Sequence, residues 1–99
     1  MLIVKARVYI KPESEGGLSK PFVSGMQPSF AVASDLIACK VIGAAGLSVL
    51  ASGREHDVTI ELPYGEVFTA LIIEGYIFHL NFGGQELANG IVKNVLQIY

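Results

Sequence analysis

The chain has 99 residues, of which 52% are hydrophobic and 16% charged, with a formal net charge of -2. That length makes one domain spanning residues 1–99, and that apolar balance excludes disorder. The seven cations, five Lys and two Arg, are scattered, which leaves no basic stripe of the kind that nucleic-acid phosphates require.

Other classes fall away on single features. No apolar run reaches the roughly 20 residues that span a bilayer. Charges and glycines interrupt the runs, as at Lys40, Gly43, Glu61, Glu66 and Glu74. The opening Met1-Leu2-Ile3-Val4 is followed by Lys5 and Arg7, the reverse of a secretory signal. Met1 directly precedes the first predicted strand, which fits either a complete short protein or a piece of a longer one. The single cysteine, Cys39, forbids an internal disulfide and reads as a small buried core residue in a reducing cytosol. No membrane role and a cytoplasmic location are the expectation.

Taken in chain order, the elements are strands and turns. Val4, Ala6, Val8 and Ile10 alternate with Lys5, Arg7, Tyr9 and Lys11, the period of a half-buried strand. Pro12 ends it. Pro12, Gly16, Gly17, Pro21, Gly25 and Pro28 then make residues 12–28 a long ordered loop, pinned by Phe22. Phe30 and Val32 share a parity, and 36–42 is rich in strand formers. Gly43 and Gly46 mark one turn and Ser52-Gly53-Arg54 another. Residues 56–62 alternate cleanly until Pro63 and Gly65. Residues 67–73 are a further apolar run, turned by Glu74-Gly75. Residues 76–82 form a strand, Gly83-Gly84 a hairpin turn that admits positive φ, and 87–98 a long final strand. No segment holds a helical period. Short strands at close spacing predict a barrel or sandwich.

No residue set carries catalytic chemistry. His56 lies between Glu55 and Asp57, but neighbours on a strand point to opposite faces, so the three form no triad. His79, between Phe78 and Leu80, faces outward. Two histidines 23 apart with one cysteine have no metal-site spacing. Glu13 and Glu15 read as solvated loop carboxylates. The phosphate-cradling G-x-x-x-x-G-K-[ST] loop is missing, since none of the five lysines follows a glycine. The expectation is a non-enzyme with no cofactor, no metal and no GTP binding.

The run Ala6-Arg7-Val8-Tyr9-Ile10, then Glu15-Gly16-Gly17, Pro21-Phe22 and Gly25-x-x-Pro28-x-Phe30, resembles the C-terminal (third) β-barrel domain of elongation factor Tu. So do Gly75-x-x-Phe78, Gly83-Gly84, Gly90 and the closing Val92-Lys93-x-Val95-Leu96. The likeness covers both ends of the chain; residues 63–74 are several positions longer than in the family, and the closing lysine sits one position early. The resemblance implies a closed antiparallel six-stranded β-barrel, a non-catalytic module that docks a protein partner, for instance one of the translation apparatus. A stand-alone mimic or decoy of elongation factor Tu, acting as an immunity or regulatory protein, is the alternative, and weak tRNA binding a third. The family's tRNA-contacting positions fall on uncharged residues here: its basic residue in Gly-Tyr-Arg-Pro on Gln27, its Arg-Glu pair on Asn81-Phe82, its Arg and His after the first Gly-Gly on Leu18 and Ser19. These losses argue against tRNA. The candidate partner-binding set is Leu18, Lys20, Gln27, Asn81, Phe82 and Gly83, with Phe82, Tyr76 and Leu18 as possible apolar anchors.

Overall fold

The computed structural model describes residues 1–98. Among them the regular elements are β-strands and three short 3₁₀ turns, with no α-helix. The strands are β1 (Leu2–Ile10), β2 (Phe22–Val23), β3 (Ser29–Val32), β4 (Asp35–Ala38), β5 (Lys40–Gly43), β6 (Val49–Leu50), β7 (Glu55–Leu62), β8 (Ile77–Phe82) and β9 (Gln85–Ile98). No helix among the described residues is long and apolar enough to cross a membrane.

The alternation in β1 does what its period requires. Leu2, Val4, Ala6, Val8 and Ile10 are buried, while Lys5 and Arg7 are exposed. Its neighbours on both sides are antiparallel: β7, with Ala6 opposite Val58, and β9, with Val8 opposite Gly90. The main sheet runs β4-β3-β8-β9-β1-β7-β5, and β2 pairs with β6 in a separate two-stranded ribbon.

The curl of the sheet comes from β9. Its pairing slips where Leu80 and Asn81 face Ala88 and Glu86, where Lys5 and Ala6 face Asn94 and Val92, and where Ile3 and Val4 face Gln97 and Val95. At each slip β9 carries one extra residue, Leu87, Lys93 or Leu96. Such bulges bend a strand and increase its twist, so one 14-residue strand wraps against both β8 and β1.

The expected closed six-stranded barrel is corrected to an open, curled antiparallel half-barrel of seven strands. The reason lies at Cys39. Residues 36–42 read as one strand, but Cys39 divides them into β4, which pairs with β3, and β5, which pairs with β7. The two end strands are thus successive in the chain and do not form a ladder with each other. Across the gap run one isolated bridge, Met26 with Val41, and a Cys39 N–H bond to the Pro28 carbonyl at 3.3 Å.

The core is apolar throughout: among the described residues no polar or charged residue is buried. The Phe30 and Phe78 rings stack at 4.6 Å between centroids, and Tyr76 lies 6.4 Å from Phe30. Tyr76 therefore packs against the core and is not an exposed anchor. The apolar run 67–73 is not a strand. It begins in the 3₁₀ turn Gly65–Phe68 and continues as turns, and of its residues only Ile72 is buried. Phe68 packs on the core edge and Ile72 in it, but Ala70 between them is exposed, so there is no period-two face to pair.

Cys39 is 2% exposed, and its thiol donates to the Pro28 carbonyl. Burial pushes the thiol from its ordinary 9.0 up to about 12. Folded protein is therefore expected to resist thiol-labelling reagents that react with the denatured chain. Between pH 9.0 and about 12 the unfolded chain loses a proton that the native state keeps. The Cys39 contribution is thus intact below that window and is lost across it, by about 1.4 kcal/mol per pH unit. Denaturant titrations over a pH series should show this slope flattened in a Cys39→Ala variant.

Candidate binding cleft at one end of the half-barrel

The end of β1 at Ile10, the start of β7 and the start of β9 lie together by register, with Tyr9 between Glu55 and Asn89. At this end a cleft of about 420 Å³ opens between residues 18–22 and 49–52, over a floor of Ile10 and Leu87. Leu18, Phe22, Val49 and Leu50 supply apolar walls, and Lys11, Glu13, Ser19, Lys20 and Ser52 the polar rim.

The first wall is a loop stapled to the sheet. After Pro12 the chain makes the 3₁₀ turn Glu13–Glu15, then Gly16 at φ +92°. The Gly17 N–H donates to the Pro12 carbonyl at 3.0 Å. The Gln85 side-chain amide donates to the carbonyls of Gly16 and Gly17, the second at 3.0 Å. Glu15 is not merely solvated: the Tyr9 hydroxyl donates to its two carboxylate oxygens at 3.0 and 3.1 Å. That bond holds the Tyr9 phenol above its ordinary value. These ties set Leu18 half-buried against the core.

The second wall is held from β1 and β7. Gly53 N–H donates to the Ile10 carbonyl at 2.7 Å, and Ile10 N–H to that of Arg54 at 3.1 Å. His56 Nε2 lies 2.8 Å from the Ala51 carbonyl. A carbonyl only accepts, so Nε2 carries the proton. His56 thus fastens the 51–54 turn, while Asp57 lies 3.2 Å from Arg7 on another face. The β2–β6 ribbon joins the two walls at their inner end, with Phe22 opposite Leu50. Phe22, 2% exposed, pins the loop as expected.

Of the six candidate residues, Leu18 and Lys20 line the cleft. The other four do not. Asn81, Phe82 and Gly83 belong to the β8–β9 hairpin, where Gly83 and Gly84 both take positive φ, +58° and +82°. Ser29 pairs with Asn81, and Gln27, two residues earlier, is exposed. Gln85, opposite Phe82, ties the hairpin to the Gly16-Gly17 wall. Phe82 is 49% exposed. Asn81 Oδ1 is buried without a hydrogen-bond partner at the slip between β8 and β9. Val49 and Leu87, missed in sequence, complete the cleft. A two-residue strand is too short for a period to show, and Leu87 owes its position to a bulge.

Three of the seven cations sit against carboxylates, while Arg7 and Lys93 line a second cleft with Glu55. Arg7 pairs with Asp57, Lys11 with Glu86 at 2.6 Å, and Lys40 faces Glu61 across β5 and β7. His79 is outward, with Nδ1 2.9 Å from the same Glu86. Among the described residues no three His, Cys, Asp or Glu groups are arranged to hold a metal ion. No protein-family model matches the chain.

Proposed function

We propose that this chain is a non-catalytic binding module that docks a protein partner in the cleft at the Leu18 end. The observation that carries this reading is an apolar cleft, walled by Leu18, Phe22 and Val49, kept open by hydrogen bonds from three separate strands. A preorganised apolar recess that admits a partner side chain is where interface energy concentrates. The likeness to the C-terminal domain of elongation factor Tu makes a translation-related partner the first to test. The interleaving of Arg7, Lys11 and Lys40 with carboxylates favours protein over tRNA.

The test is affinity capture from native extract at low and high salt, with purified translation factors and tRNA as defined probes. Leu18→Asp, at a half-buried wall position, should weaken binding about a hundredfold, the scale of an interface hot spot, and, because Leu18 also packs on the core, lower stability by about 1–2 kcal/mol with the circular dichroism of the fold retained. Lys20→Glu should weaken it less. Binding to tRNA that collapses with salt, or protein capture indifferent to Leu18→Asp, would defeat the reading.

A further inference from the structure

We infer that the outer face of the sheet holds a second binding site, a cleft of about 390 Å³ that takes the C-terminal residue of a peptide by its carboxylate, its apolar side chain and the amide before it. The cleft lies where β8, β9 and β1 run side by side, and it shares no lining residue with the first cleft. Twist makes a sheet face hollow along one diagonal, and the extra residue Lys93 sharpens the twist of β9 here. Its volume falls within the roughly 300–1,000 Å³ of small-ligand sites.

Register sets Ile91 between Arg7 on β1 and Ile77 on β8, with Asn89 the next outward residue of β9. Asp57 orients Arg7 but bonds only its Nε, at 3.2 Å. Both Nη groups remain to grip a carboxylate by its two oxygens. Among the described residues the side chains of Lys93 and Asn89 have no hydrogen-bond or ion-pair partner, whereas the Tyr9 hydroxyl is committed to Glu15. Ile77 is 67% exposed and forms with Ile91 an apolar pair beside the polar row of Tyr9, Asn89 and His79. Neighbouring strands are about 4.8 Å apart, so a carboxylate on Arg7 and Lys93 places its own apolar group over Ile91 and Ile77. Asn89, which donates and accepts, then meets the amide that precedes that residue. Glu55 in the lining and Asp57 on Arg7 repel a dianion, which separates a carboxylate from a phosphate. An exposed isoleucine or an unpaired lysine is ordinary by itself; their placement around one oriented guanidinium in one hollow is what specifies the ligand.

Titration of the isotope-labelled chain with the acetylated tripeptide Ala-Ala-Leu, followed by NMR, should move the backbone amides of Ile77, Asn89 and Ile91 and saturate with a dissociation constant of about 0.1–1 mM. Converting the terminal carboxylate to an amide should weaken binding at least about tenfold. Arg7→Gln and Lys93→Gln, both at exposed positions, should each weaken it about tenfold with the fold retained. Lys5→Gln, on β1 but outside the lining, and Lys20→Gln, in the first cleft, should change nothing. Inorganic phosphate should not displace the tripeptide, and N-acetyl-leucine should bind no more tightly than it does. Equal binding of the acid and the amide, shifts centred on Leu18 and Phe22, indifference to both glutamine variants, displacement by phosphate, or a preference for N-acetyl-leucine would overturn the proposal.

Discussion

Phe78→Ala is expected to destabilise the fold by about 3–5 kcal/mol, the range for emptying a buried aromatic site. Phe78 is fully buried, stacked on Phe30, and its ring lies over Gly90 so closely that a Cβ there would meet Cζ at 2.7 Å. The backbone of β9 approaches the ring because position 90 has no side chain, so no neighbour is placed to refill the cavity. At about 4–8 °C per kcal/mol for a domain of this size, melting should fall by at least about 12 °C. Phe78→Leu keeps most of the volume and should lose less than half as much. Thermal and urea unfolding of both variants check this. Equal, small losses would mean that the stack is not the centre of the core.

Gly17→Ala is expected to detach the first wall of the cleft. A Cβ at Gly17 would stand 1.9 Å from the Lys11 carbonyl oxygen and 2.9 Å from that of Pro12. Both are backbone atoms, and Lys11 is itself held by its N–H bond to the Leu87 carbonyl, so neither yields as a flexible side chain does. The loop must lift away, surrendering the Gly17 bond to Pro12 and the Gln85 clamp. The expected cost is about 3 kcal/mol, with partner capture lost because Leu18 moves with the loop. Gly16→Ala is the control. Gly16 sits at φ +92° with open space around it, so alanine there meets backbone strain of about 1–2 kcal/mol and no collision. Urea midpoints should rank wild type, Gly16→Ala, Gly17→Ala. A Gly17→Ala protein that keeps both wild-type stability and binding would show that the wall does not depend on this contact.

Much of this architecture was legible residue by residue. The alternation of Val4, Ala6, Val8 and Ile10, the clean period of 56–62, the Gly83-Gly84 turn and the outward His79 are local properties, written within a few positions of the residues concerned. Leu18 and Lys20 entered the candidate set with the resemblance to the elongation-factor domain, not through a local pattern of their own.

What the sequence by itself determined, then, was the all-strand class and the facing of the regular strands β1 and β7, because side-chain parity along an unbulged strand is set by backbone geometry alone. Only the tertiary structure decided the rest. It broke 36–42 at Cys39 and left the sheet open, because pairing on either side of that residue goes to strands distant in sequence. It turned 67–73 into a series of turns with one buried residue, placed Leu87 by a bulge and brought Val49 into the lining of the same cleft as Leu18. It also left Gln27, Asn81, Phe82 and Gly83 outside the cleft. Each of these depends on register between segments far apart in the chain, and register is a property of the pair, not of either strand.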